Sequence, residues 1–233
     1  MFAAGAALVA VCAGAQAAAA QIPTSSNEIR PNYAADAKSR GAIELNRLVR
    51  CAMSRREKLA GNILSTRPGS NDQERLMSPF RKVMENCMSD LAPAMYLGNV
   101  ETRGEIAGVL YLRQYPQAPD FAALAHPSLP LPKGWTTGKV SEYEKVQMLG
   151  QEFAGCIAAT APADVDTLLR TDLRSAAERT AFRRLVPSFG PCLPKGLKME
   201  LDVAWLRAAV AEAMLRNMEQ WQSGSSSQKG AAG

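Results

Sequence analysis

Residues 51–87 of the chain read CAMSRREKLAGNILSTRPGSNDQERLMSPFRKVMENC, and residues 156–192 read CIAATAPADVDTLLRTDLRSAAERTAFRRLVPSFGPC. Each stretch begins and ends with a cysteine, so the two cysteine pairs share a spacing of 36 residues. Sliding the chain by 105 residues aligns further identical residues, namely Leu64 with Leu169, Thr66 with Thr171 and Ser70 with Ser175. Self-similarity at a fixed offset is the signature of a repeated unit. We therefore predict an internal duplication.

Apolar residues inside both stretches recur at steps of three and four, which is the spacing of one helix face. The matched positions before the second cysteine are Leu76, Met77, Phe80 and Met84, and then Ala181, Phe182, Leu185 and Phe189. Few segments show the alternation expected of strands. The pattern predicts an all-α protein made of two tandem duplicated small helical units, with about four helices in each.

Two serines at equivalent positions predict the starts of equivalent helices. Ser70 is followed three residues later by Gln73, and Ser175 is followed by Glu178. A serine with glutamine or glutamate three residues on is the capping-box pattern, in which both side chains satisfy free backbone N–H groups.

The cysteine count depends on the N-terminal segment. Residues 1–20 are mostly small and apolar and close on alanines, which predicts a cleaved signal peptide; an uncleaved anchor and a lipoprotein modified at Cys12 are the alternatives. Cleavage leaves four cysteines in an exported, periplasmic or secreted chain, where disulfides form. Duplication favours the pairs Cys51–Cys87 and Cys156–Cys192 among the three possible connectivities. Free thiols are the alternative, and zinc fits poorly because the chain has no CxxC and one histidine, His126.

Composition divides the rest of the chain. Residues 21–39 are polar and read as a flexible lead-in, and residues 223–233 read as a disordered tail because they offer nothing to bury. Residues 114–139 carry five prolines and predict a semi-rigid connector that packs across the two units. The helical repeat units are thereby assigned to residues 40–113 and 140–222.

The net charge of +5 is concentrated in the first unit. Residues 40–113 hold 12 basic and 8 acidic side chains, whereas residues 142–219 hold 10 and 11. Five cations lie close together around the first cysteine, namely Arg47, Arg50, Arg55, Arg56 and Lys58. Such a patch suits an anionic lipid surface or another polyanion, and the alternative is a solvated helix face.

Two further arginines, Arg103 and Arg207, occupy matching positions once the offset becomes 104 residues after the second cysteine. Their forked guanidinium groups suit carboxylates or phosphates. The alternative is a structural role, with the stem on the core and the head bonded to an acid or to carbonyls at a helix end.

Function is less well defined by these residues. No serine lies in a GxSxG motif and no glycine-rich phosphate loop is present, so no catalytic, cofactor-binding or metal-binding residue is predicted. We expect a non-catalytic binding or protein-interaction module. A polyanion or membrane-surface binder and an envelope enzyme with an unrecognised site are the alternatives. The expected partner is an envelope protein or an anionic surface, without nucleic acid and without an integral membrane segment in the mature chain; oligomeric state stays open.

Overall fold

The computed structural model describes residues 36–88, 99–124, 126–194, 201 and 203–230. In this part of the chain the regular structure is helical throughout, with no strand, which confirms the predicted all-α class. The helices are α1 (Asp36–Ser65), α2 (Asn71–Glu85), α3 (Asn99–Gln114), α4 (Lys133–Thr136), α5 (Glu142–Thr160), α6 (Pro162–Arg170), α7 (Ala176–Cys192) and α8 (Val203–Gly230), with a 3₁₀ helix at Phe121–Ala123. The predicted signal peptide, residues 1–20, lies outside the described residues.

Helices α1 to α3 form what we call the first half. The backbone of Arg56 is not helical, with φ −144° and ψ 47°, so α1 consists of two helical segments that meet there. Both segments pack with α2 and α3 around one apolar core. Its fully buried side chains include Leu48, Met53, Ile63, Met77, Phe80, Met84 and Ile106.

Helices α5 to α8 form the second half. Here α5 and α6 are separated by Ala161, whose φ of −137° and ψ of 56° take it out of the helix. Pro162 then begins α6, at a position where its missing N–H leaves no hydrogen bond unmade. The core residues of this half include Phe153, Ile157, Val165, Leu168, Phe182, Leu185 and Phe189.

The serines predicted as helix caps begin α2 and α7. The Ser70 hydroxyl accepts a hydrogen bond from the Gln73 N–H at 3.2 Å, and the Ser175 hydroxyl accepts one from the Glu178 N–H at 3.0 Å. The return bond differs from a capping box by one residue. Gln73 and Glu178 accept from the N–H group of the residue preceding each serine, at 2.7 Å in both cases. Those preceding residues both have a positive φ.

The two disulfides have the predicted connectivity. Cys51 in α1 is bonded to Cys87 just after α2, and Cys156 in α5 is bonded to Cys192, the last residue of α7. Each bridge stabilises the folded state by about 4 kcal/mol, because it lowers the conformational entropy of the unfolded chain. The described residues therefore contain one disulfide within each half and no disulfide between the halves.

The halves meet along α3 and α8. A Cβ atom placed on Gly104 would lie 2.2 Å from the Ala208 Cβ and 2.3 Å from its Cα, so only glycine allows this approach. Beside it, the Arg103 guanidinium donates to both carboxylate oxygens of Glu212, at 2.8 and 2.7 Å. These side chains are 2% and 6% exposed. A buried, two-pronged ion pair thus fixes the register of α3 against α8.

The predicted connector, residues 114–139, packs against both halves. Trp135 of α4 is buried, and its ring lies 5.3 Å from the guanidinium carbon of Arg103 and 5.6 Å from that of Arg216. Its indole N–H donates to the Ser65 carbonyl at 3.4 Å. Further along α8, the Trp221 indole N–H donates to the Pro127 carbonyl at 3.2 Å. The prolines end helices here without preventing tertiary contact.

Two helices extend beyond the residues assigned to the repeat units, 40–113 and 140–222. α1 begins at Asp36, inside the predicted lead-in of residues 21–39, and α8 continues to Gly230, inside the predicted tail of residues 223–233. Low apolar content argues against burial, but it does not stop a helix that is already nucleated. Each residue added to an existing helix gains one hydrogen bond for fixing one backbone conformation. The chain has no proline between Pro31 and the end of α1, or after Pro194, so no residue blocks this extension.

Candidate ligand-binding cleft

A cleft of about 340 Å³ opens between α1, α3, the end of α6 and α8, where the two halves meet. Its lining combines small and apolar residues with charged ones. The apolar and small residues are Ile43, Gly104, Gly108, Val109, Leu112, Leu169, Leu173, Ala208 and Ala211, and the polar ones are Asn46, Arg50, Glu105, Arg170, Thr171, Asp172 and Arg207. A concave surface of this size lies within the range of small-molecule sites, and its polar groups can orient a bound ligand.

Three side chains form a chain of hydrogen bonds that connects α1 to α3 at the cleft. Asn46 donates through its amide nitrogen to a Glu105 carboxylate oxygen at 2.6 Å. Arg50, one turn further along α1, donates through Nε to the Asn46 amide oxygen at 2.8 Å. The Asn46 amide therefore connects a cation and an acid that come from different helices.

Burial raises the pKa of the Glu105 carboxyl above its ordinary value. The Asn46 hydrogen bond and the positive charges of Arg207 and Arg50 oppose this rise, and the negative charge of Glu178 adds to it. Desolvation dominates because the carboxylate is held between packed helices. Glu105 is thus the titratable group of the cleft whose ionisation is disfavoured by its surroundings.

The three arginines of the cleft differ in how fully their donors are used. Arg170 donates from all three nitrogens, to the Asp166 carboxylate and to the carbonyls of Tyr115 and Pro116. Arg207 donates from both terminal nitrogens, chiefly to carbonyls at the end of α6. Arg50 is exposed, and the described residues supply no hydrogen-bond partner for its terminal nitrogens. Arg50 is therefore the cleft arginine available to a ligand.

Arg103 and Arg207 make the same set of contacts in the two halves. Arg103 donates to the carbonyls of Ile63, Leu64 and Thr66, at 2.6, 2.7 and 2.9 Å. Arg207 donates to the carbonyls that the 105-residue offset aligns with these, namely Leu168, Leu169 and Thr171, at 2.6, 2.9 and 3.0 Å. Arg103 thus closes the C-terminal end of α1 and Arg207 that of α6, where carbonyls lack helical partners.

The remaining predicted cations lie apart from the cleft. Arg47 is paired with Glu44 and donates to the Cys87 carbonyl at 3.2 Å. Arg55, Arg56 and Lys58 line a separate open groove between α1 and α2. The structure therefore does not bring the seven predicted cations into one site: only Arg50 and Arg207 share the cleft.

Asn46 and Glu105 were not identified from the sequence. They are 59 residues apart and lie on different helices, so no local spacing links them. One signal was available in the sequence: the 104-residue offset aligns Glu105 with Ala209, so one unit has an acid where the other has an alanine. In the structure that alanine is buried. His126 lies elsewhere, with its Nδ1 2.9 Å from the Ala159 carbonyl oxygen.

Comparison of the chain with protein-family models, with curated proteins and with solved structures found no match. In the described part of the chain no three metal-binding side chains cluster together. The same residues include no helix that is long and apolar enough to cross a membrane. The geometry of the cleft is therefore the basis for assigning a function.

Proposed function

We propose that this protein is a non-catalytic binding module that holds a small anionic ligand in the cleft between its halves. The observation that carries this proposal is Arg50, whose terminal guanidinium nitrogens lie at the cleft without a partner in the described chain. A guanidinium group presents parallel N–H donors that match a carboxylate or phosphate. Glu105 and Asp172 on the same lining suit a hydrogen-bond donor on the ligand, such as an amino or hydroxyl group.

We infer that the two halves on either side of the cleft are copies of one helical unit. The backbone supports duplication at two aligned positions besides the arginine contacts. Arg56 and Ala161 leave the helix with nearly the same angles, φ −144° and −137°. Gly69 and Arg174, which precede the capping serines, have φ values of 79° and 65°. A positive φ is uncommon for a residue with a side chain, so its presence at Arg174 indicates an inherited turn.

Contact between aligned residues supports duplication further. Gly104 and Ala208 are aligned by the 104-residue offset, and they are also in direct contact between α3 and α8. Two copies of one unit related by a rotation bring equivalent residues together only near the rotation axis. The cleft lies beside this contact, and Glu105 immediately follows Gly104. We infer that the cleft arose where the two copies joined and then diverged.

The proposal includes export of the protein from the cytoplasm. Two disulfides fit an oxidising compartment, in agreement with the signal peptide predicted at residues 1–20. N-terminal sequencing of the protein isolated from its native cells tests this directly. A mature chain that begins near residue 21 is expected, and a chain that retains Met1 in the cytoplasmic fraction would contradict it.

A binding experiment with a defined panel tests the cleft. Small carboxylic acids, amino acids and phosphorylated sugars are added one at a time, and thermal unfolding is followed by fluorimetry. A compound present at 100 times its Kd stabilises the folded state by about 2.7 kcal/mol. We expect Arg50→Gln to lose most of this stabilisation. Arg75→Gln, an exposed α2 arginine paired with Asp72 away from the cleft, serves as the matched control and keeps it.

The same experiment separates binding from catalysis, the second candidate function. Glu105 favours catalysis, since an acid with a raised pKa in a cleft is a common general acid. Mass spectrometry of the bound compound after incubation distinguishes the two. A compound recovered unchanged supports the binding module. If the wild-type protein converts the compound and Glu105→Gln does not, the function is catalysis and the proposed binding module is wrong. If a compound stabilises the wild-type protein and Arg50→Gln equally, the assignment of the site to the cleft is refuted.

A further inference from the structure

A second surface, separate from the cleft, runs along the groove between α1 and α2. Its volume is about 640 Å³ and it is open to solvent. We call it the basic groove, and define it by its lining residues: Arg55, Arg56, Glu57, Lys58, Leu59, Asn62, Pro79 and Val83. The kink of α1 falls at Arg56, so three cations are placed at a bend in the helix beside α2.

The cations of the basic groove are not neutralised within the described chain. Arg55, Arg56 and Lys58 are exposed, and no described residue forms a hydrogen bond or ion pair with their side chains. The one acid of the groove, Glu57, is bonded instead to Arg113 of α3 at 3.3 Å. Three positive charges therefore lie within four residues and repel one another, and the one carboxylate beside them is paired with Arg113.

The fold does not require these cations. The second half forms the same kink at Ala161, with φ and ψ within about ten degrees of those at Arg56. The positions aligned with Arg55, Arg56 and Lys58 are occupied there by uncharged residues, Thr160, Ala161 and Ala163. The kink therefore forms without charged residues. The three cations of the first half are not needed for the fold, so we look for their role in binding an external anion.

We propose that the basic groove binds the sulfate or phosphate groups of an anionic polysaccharide. The groove is open to solvent between α1 and α2, so a polymer segment can lie in it without being enclosed. Leu59, Pro79 and Val83 give it an apolar wall suited to the faces of sugar rings, next to the guanidinium forks that bind the anionic groups.

Two other polyanions fit the groove less well. Its lining contains no aromatic ring, whereas single-stranded nucleic acid is held by stacking on aromatic side chains. The large apolar side chains exposed in the described chain are Ile43, Tyr143 and Val146, and none of them lies in the groove. A lipid surface would therefore gain charge contacts there without insertion of an apolar side chain.

Heparin, a sulfated polysaccharide of defined chemistry, is the probe. The oxidised full-length protein is applied to immobilised heparin at low salt and eluted with a salt gradient. The groove variant is Arg55→Gln, Arg56→Gln and Lys58→Gln combined. The control variant combines Lys133→Gln, Lys139→Gln and Arg183→Gln, which removes three exposed cations elsewhere and leaves the same net charge. All six side chains are exposed, so both variants are expected to fold, and circular dichroism checks this.

The wild-type protein and the control variant are expected to bind heparin alike, with affinity falling as salt rises. The groove variant is expected to bind heparin about tenfold more weakly than the wild-type protein, because it loses three solvent-exposed ion pairs. Equal weakening in both variants would show a response to net charge alone and overturn the proposal. Loss confined to phosphatidylglycerol vesicles or to single-stranded DNA, with heparin binding unchanged, would also overturn it.

Discussion

Replacement of Gly104 by alanine tests the contact that joins the two halves. The added Cβ would lie 2.2 Å from the Ala208 Cβ, 2.3 Å from its Cα and 2.6 Å from its carbonyl carbon. Two of these three atoms belong to the backbone, so no side-chain rotation relieves the overlap and α3 must move away from α8. Such overpacking costs about 3 kcal/mol at the upper end of its usual range, and the better helix propensity of alanine offsets about 1 kcal/mol. The expected net loss is about 2 kcal/mol.

Gly108 provides the matched control on the same face of α3. A Cβ atom there would meet the Ala211 Cβ at 3.7 Å, which is an ordinary van der Waals distance. Gly108→Ala is therefore expected to stabilise the protein by about 0.5 to 1 kcal/mol through helix propensity. Urea unfolding of the two oxidised variants, followed by far-UV circular dichroism, measures the difference. If Gly104→Ala proved as stable as Gly108→Ala, the close packing of α3 against α8 would be refuted.

Two carboxylates, the buried Glu212 and the half-buried Glu105, give the remaining predictions. Glu212→Gln leaves the Arg103 guanidinium buried without a negative partner, so urea unfolding should show a loss of about 3 kcal/mol; an unchanged midpoint would contradict the ion pair. Glu105→Gln should act in the opposite direction. Because burial raises the pKa of Glu105 against the charges of Arg50 and Arg207, the folded state holds this proton more tightly than the unfolded state. The variant should therefore be more stable than the wild-type protein near pH 7 and equal to it below the ordinary carboxyl pKa, and a gain that persists in acid would exclude this cause.

The local structure could be predicted well because it follows from short-range chemistry. Helical spacing of apolar residues identified α2 and α7, and serines at Ser70 and Ser175 marked where they begin. Equal cysteine spacing favoured the observed disulfides, since the predicted duplication implies one bridge within each unit. These signals lie within a few residues of one another or repeat at one offset, so they can be read without knowing the tertiary fold.

The cleft could not be predicted in the same way. Arg50 was identified as one of five clustered cations, but each helical residue turns the side chain by about 100° from the last. Neighbours in sequence therefore point to different sides, and Arg50 lines the cleft while Arg55 lines the basic groove. Asn46 and Glu105 meet across 59 residues, and that pairing depends on how α1 packs against α3. Helix periodicity fixes which face is buried, but it does not fix which helix covers it.

The two arginines that close the helix ends differ in where their acidic partners lie. Arg207 finds its acid, Glu178, within its own half at 3.1 Å. The first half has the neutral Gln73 at the aligned position, and Arg103 is instead paired with Glu212 of the second half. Without that carboxylate the first half would bury an uncompensated guanidinium group, at a cost of several kcal/mol, about the whole stability of a unit of this size. The halves are therefore expected to unfold in one transition, and the cleft between them is a feature of the joined pair that neither half could form alone.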